Sequence, residues 1–167
     1  IEVEENQKLE YLKLYDWLVE KRSIYGLRST KVELSEIEKI KLLQNLRSLE
    51  LRNKNIEEVP REMILLKKLR YLDLSFNKIK NLPSYLSELI SLDYLNISGN
   101  EISEIPEPFE KLINLTSLDL YLNSFKSLPF PISKMTLLER LDCSDNQIKE
   151  IPNWIENLKE LEDFRIT

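Results

Sequence analysis

Five prolines, Pro60, Pro83, Pro106, Pro129 and Pro152, fall 23 residues apart along this 167-residue chain. Each closes the same short apolar phrase. A fixed period in this range marks a stacked-repeat architecture, in which one supersecondary unit recurs and buries its apolar stripe only against its neighbours. The period therefore restricts the fold to a one-dimensional stack, which displays one long ordered surface.

The unit beginning at Leu69 reads Leu69, Leu72, Leu74, Asn77, Ile79, Leu82 and Pro83. The same slots hold Leu92, Leu95, Ile97, Asn100, Ile102, Ile105 and Pro106. They recur as Leu115, Leu118, Leu120, Asn123, Phe125, Leu128 and Pro129, then as Leu138, Leu141, Cys143, Asn146, Ile148, Ile151 and Pro152. The first copy, Leu46, Leu49, Leu51, Lys54, Ile56, Val59 and Pro60, carries lysine in the asparagine slot. A sixth opens at Leu161, Phe164 and Ile166 and stops at Thr167.

Within the phrase, L-x-L alternates with period two, as a short strand with one buried face requires. After each proline the step becomes three, as in Met63, Leu66 and Leu69. That spacing predicts a 3₁₀ or short α turn, with proline at its first position, where a missing N–H is no loss. A chain turning inward leaves backbone donors and acceptors away from water, and an amide side chain answers both kinds. Asn77, Asn100, Asn123 and Asn146 fit that need.

The phrase L-x-x-L-x-L-x-x-N-x-I-x-x-L-P resembles the leucine-rich repeat, in the 23-residue class that looks like bacterial and intracellular Ras-group proteins. The resemblance covers residues 37–167, with five full units from Leu46 and a truncated sixth. It implies an α/β solenoid: a right-handed arc with a parallel sheet on its concave side and short 3₁₀ or α turns on its convex side. It also implies an asparagine ladder, and a partner-binding surface on the concave sheet.

Residues 1–36 read as an N-terminal helical capping segment. Tyr11, Leu12, Tyr15, Leu18 and Val19 fall on one face of a helix from about residue 6 to 21. Ser35 followed by Glu38 has capping-box spacing, and Ile37, Ile40, Leu43 and Leu46 continue the three-residue step. Lys31, Val32, Glu33 and Leu34 alternate as a strand would. The sequence stops inside a strand pattern, which predicts either a longer natural chain or self-association through that edge.

Composition narrows the chemistry. A net charge of −5 disfavours nucleic acid or an anionic membrane as the main partner, and no run of 18 apolar residues encodes a membrane span. The chain has no histidine, no glycine-rich phosphate loop and no metal-ligand cluster, so neither a cofactor nor a metal is expected. Cys143 occupies a leucine slot and reads as a small buried hydrophobe. Localisation stays open.

Side chains between the buried leucines face the other side of the sheet. They place Arg52, Tyr71, Asp73, Phe76, Tyr94, Asn96, Asp119, Tyr121, Leu122, Arg140 and Asp142 on one face as candidate partner-binding residues. Aromatic and arginine side chains are the usual anchors of protein interfaces. The leading expectation is a non-catalytic module that binds a protein partner through this face. The alternatives are a scaffold or adhesion protein without a specific ligand there, and an enzyme using the carboxylates of Asp119 and Asp142.

Overall fold

The computed structural model describes residues 3–21 and 34–167. Among the described residues, two helices, α1 (Glu5–Glu20) and α2 (Glu36–Gln44), precede six short strands. These are β1 (Ser48–Glu50), β2 (Tyr71–Asp73), β3 (Tyr94–Asn96), β4 (Ser117–Asp119), β5 (Arg140–Asp142) and β6 (Asp163–Arg165). They form one parallel sheet in chain order. Leu49, Leu72, Leu95, Leu118, Leu141 and Phe164 lie abreast, so the sequence period is also the sheet register. This is an α/β solenoid.

Five 3₁₀ turns return the chain between strands, at Arg61–Leu65, Ser84–Glu88, Glu107–Lys111, Phe130–Lys134 and Asn153–Asn157. The residues spaced three apart are the ones that build them. Met63 N donates to Pro60 O at 3.1 Å, Leu66 N to Met63 O at 3.0 Å, and Leu69 N to Leu66 O at 3.0 Å. Later units repeat this chain of bonds from Pro83, Pro106, Pro129 and Pro152. The prolines stand one position earlier than the sequence pattern predicts. Each is the cap before the first turn residue, with extended ψ between 127° and 151°. The turn needs the proline's carbonyl, and the fixed φ suits a residue that enters a turn without belonging to it.

The strand leucines and the turn triplets meet in one continuous core. Leu72, Leu74, Ile79, Leu89, Leu112 and Leu115 are fully buried, and each such side chain contributes about 1.5–3 kcal/mol of transfer free energy. Between strand and turn, the asparagines tie each unit to the one before. Asn100 Oδ1 accepts from Ile79 N at 3.0 Å, while its Nδ2 donates to Leu74 O at 3.1 Å and to its own unit's Ile97 O at 3.0 Å. Asn123 and Asn146 repeat the pattern on Ile102 and Phe125. Lys54 needs no such side chain to close its own turn, because Asn77 reaches back to Lys54 N at 2.9 Å and Ile56 N at 3.0 Å.

At the N-terminal end, α1 packs against α2 and the first 3₁₀ turn, and its side chains join the same core. The buried stripe is Tyr11, Leu14, Tyr15 and Leu18. Leu12 and Val19 are only half-buried, and Leu14 joins the buried stripe, although it is not among the residues that the sequence pattern singles out. The capping box of α2 is present, with Ser35 N donating to Glu38 Oε2 at 2.9 Å. Ile40 and Leu43 are buried but Ile37 is exposed. The segment is an α-helix, so a step of three drifts by about 60° each time, and Ile37 is carried off the core. Residues 31–33 of the expected strand lie outside the described residues.

Asn100 is nearly buried and holds bonds from both of its amide atoms. Asn100→Ala is expected to lower the unfolding free energy by about 1–3 kcal/mol, read from the urea midpoint at unchanged slope.

Candidate functional site

The sheet face opposite the core is a grid of columns. The first column runs Ser48, Tyr71, Tyr94, Ser117, Arg140 and Asp163, and the second runs Glu50, Asp73, Asn96, Asp119, Asp142 and Arg165. Tyr71 and Tyr94 stack face to face, with ring centroids 4.3 Å apart and planes 6° from parallel. Both rings are half-buried. Burial, together with Tyr94 and the carboxylates of Asp73 and Glu50, pushes the Tyr71 hydroxyl up to about 12.

Asp73 and Asn96 are each only 7 % exposed. They offer a partner little surface. Their side chains instead shape the chain as it leaves the strand: Asp73 Oδ1 accepts from Ser75 N at 2.8 Å and Asn96 Oδ1 from Ser98 N at 2.9 Å. Asp119 does the same for Tyr121 N, and Asp142 for Ser144 N, both at 2.9 Å. Asp and Asn are the residues whose short side chains close such turns two residues on. Much of the acidic row is therefore backbone chemistry. The sequence carries a partial signal, since Asp or Asn fills this column in four consecutive units, but an acidic row on a sheet face also reads as a binding surface.

The turn leads into a left-handed residue in every unit. Asn53, Phe76, Gly99, Leu122 and Asp145 have φ between 52° and 60°. Each amide donates to a carbonyl of the following unit, as Phe76 N does to Ser98 O at 2.8 Å and Leu122 N to Ser144 O at 3.0 Å. Gly, Asn and Asp adopt this conformation readily. Phe76 and Leu122 do not, yet they are 38 % and 44 % exposed. The Phe76 ring lies over Gly99, where an added Cβ would sit 2.7 Å from it, and the Arg52 guanidinium covers the same ring at 4.6 Å. Tyr121 stands beside Leu122, and a hydrogen bond to Asp145 raises its hydroxyl above the ordinary tyrosine range.

Towards β6 the face is charged. Arg165 donates to Asp163 at 2.8 and 3.0 Å and lies 3.8 Å from Asp142. Burial holds the Asp119 carboxyl above its usual range, and the neighbouring Asp142 and Asp73 charges add to this. Arg140 is exposed. Among the described residues, no group of three or more acidic or cysteine side chains converges to hold a metal ion, and no helix is long and apolar enough to cross a membrane. Cys143 is buried, and that burial pushes its thiol up to about 12. Trp17 and Trp154 pack against the core rather than on this face.

Residues 44–102 match the family described as leucine rich repeat, and residues 84–167 match the one described as leucine-rich repeat region. A leucine-rich repeat protein of Leptospira interrogans aligns over 82% of the chain at 34% identity, with a TM-score of 0.69. The chain belongs to the leucine-rich repeat family.

Internalin C2 of Listeria monocytogenes aligns over 77% of this leucine-rich repeat chain at 29% identity and a TM-score of 0.69. The ectodomain of the membrane receptor kinase GASSHO1/SCHENGEN3 from Arabidopsis thaliana, solved in complex with Casparian strip integrity factor 2, aligns over 77% at 30% identity and a TM-score of 0.68. The chain spans only 36%, 55% and 16% of these three proteins, respectively. No curated protein matches it. The leucine-rich repeat fold is typically a protein-interaction module and generally non-enzymatic.

Asp119 offers a test of how the acidic column works. A carboxyl whose folded-state pKa is raised contributes its stability below its unfolded pKa, and loses it as pH rises through the folded value. At neutral pH the Asp119 charge is therefore a burden on the fold. Asn96 shows that an amide can make the same turn bond one strand away. Asp119→Asn is expected to match or raise the melting temperature at pH 7, with the gain vanishing below about pH 4. A lower melting temperature at pH 7 would contradict this reading.

Proposed function

We propose that this chain is a non-catalytic interaction module that binds a protein partner through its sheet face, with residues 1–36 covering the first repeat from water. The observation that carries the reading is the pair Phe76 and Leu122. The left-handed conformation costs an ordinary residue about 1–2 kcal/mol, and the neighbouring units fill the position with Asn53, Gly99 and Asp145. The fold does not need a large apolar side chain there. Leu122 gains little in return from burial, being 44 % exposed. A bulky residue held in a disfavoured conformation at the surface points to a role outside the fold.

Surrounding groups agree with that role. The tyrosine stack, Phe76 under Arg52, and Tyr121 beside Leu122 supply rigid aromatic area with few rotatable bonds, the chemistry of interface anchors. The receptor-kinase relative solved with a bound factor supports a protein or peptide as the partner. The carboxylates of Asp73, Asp119 and Asp142 close backbone turns and that of Asp163 pairs with Arg165, so these groups are engaged in holding the fold rather than aimed at a substrate.

Two substitutions separate binding from folding. Leu122→Asn is expected to leave stability unchanged or raise it, by up to about 1 kcal/mol. The double variant Phe76→Asn with Leu122→Asn is expected to lose partner binding while keeping a native spectrum. Binding is read by placing a photo-crosslinking phenylalanine analogue at position 122, or at Ile113 as a control outside the sheet face, in the cells of origin. Protein adducts confined to position 122 and lost with Phe76→Asn support the reading. Adducts at position 113 alone, or adducts indifferent to Phe76→Asn, would overturn it.

A further inference from the structure

The tyrosine stack is unfinished. Tyr71 and Tyr94 lie 4.3 Å apart, close to the spacing of neighbouring strands, and the next residue in their column is Ser117. Its side chain is too short to continue the stack. The outer face of Tyr94 therefore looks into a cleft of about 210 Å³, lined also by Ser117, Asp119, Arg140, Asp142 and Arg165. Tyr94 and Arg140 stand two strands apart, about 9.6 Å at the usual spacing. That gap admits one flat group at stacking distance from the tyrosine ring.

We propose that this cleft receives an arginine side chain of the partner protein, laid on Tyr94 and paired with Asp119. The proposal rests on the sheet-face reading and names the chemistry that the face recognises. The cleft holds three carboxylates, Asp119, Asp142 and Asp163, against two guanidiniums, Arg140 and Arg165. Arg165 is bound to Asp163 and reaches Asp142. Asp119 uses Oδ1 on Tyr121 N, and among the described residues no cation is placed within ion-pair distance of it. An incoming positive charge would neutralise it.

The face already carries both halves of the contact. Arg52 lies on the Phe76 ring at 4.6 Å, and Arg165 forks onto Asp163 with two nitrogens. A guanidinium is planar, stacks on aromatic faces, sheds water more readily than an ammonium and pairs with carboxylates through two parallel bonds. A lysine could pair with Asp119 but not extend the stack. An aromatic group could extend the stack but would leave the carboxylate without a partner. Arg140, with its like charge on the far wall, confines the incoming group to the Tyr94 side.

The test is an NMR titration of the 167-residue chain with N-acetylarginine amide, with its lysine and citrulline counterparts as controls. The expected result is saturable shifts at Tyr94, Ser117 and Asp119, with arginine binding several-fold more tightly than lysine and citrulline giving none. Ser117→Tyr, which fills the cleft, should abolish these shifts while resonances elsewhere stay in place. Asp119→Asn should weaken them at least several-fold, so the assignment does not depend on one variant folding. Equal shifts with arginine and lysine, or shifts that persist in both variants, or none at all, would overturn the proposal. If arginine fails while crosslinks form at position 122, only the arginine assignment falls. If crosslinks also form elsewhere alone, the sheet-face reading falls with it.

Discussion

Everything on this molecule is placed by hydrogen bonds that cross from one repeat to the next. Each asparagine of the ladder reaches back into the preceding unit, accepting an amide and donating to a carbonyl that the sheet does not use. Asn100 joins Ile79 N and Leu74 O in this way. These are backbone groups in a tight inward turn, where an unmet partner costs about 1–3 kcal/mol. Hydrophobic burial drives the stacking, but burial is non-directional and would tolerate a slipped layer. The ladder would not. It sets the register.

With register fixed, sequence columns become surface columns. Tyr71 meets Tyr94 ring to ring because both stand at the same height on neighbouring strands. Arg52, Phe76 and Gly99 come from consecutive units, and they layer because the turns that carry them superimpose. Gly99 has a positive φ, and it also lies against the Phe76 ring, where any side chain would collide. The open face of Tyr94 has the same origin. A serine in place of a third ring leaves a gap in an otherwise continuous stack.

Much of this was legible in the chain. The proline period, the leucine slots and the asparagine column give strand, turn and ladder directly, because each residue type answers one backbone or packing need. Two features were not. The Asp and Asn of the second column look like a binding row, but their short side chains close turns, and Asp73 and Asn96 end up buried. The left-handed column was hidden because its members, Asn53, Phe76, Gly99, Leu122 and Asp145, share a conformation and no chemistry. The cap helices misled for another reason. A step of three suits the 3₁₀ turns, and carrying it into an α-helix placed Ile37 in the core when it is exposed.

The ordered face depends on the ladder holding the repeats in register, and native-state amide exchange tests that directly. The amides of Ile79, Ile102 and Phe125 sit outside the strands and donate only to an asparagine of the next unit. If the ladder holds, they exchange as slowly as the amides of Leu74, Ile97 and Leu120, which follow the strands directly and donate to a carbonyl of the next strand, through global opening alone. If they exchange at loop rates while the amides of Leu74, Ile97 and Leu120 stay protected, the asparagines do not lock the units, and the ordered face loses its foundation.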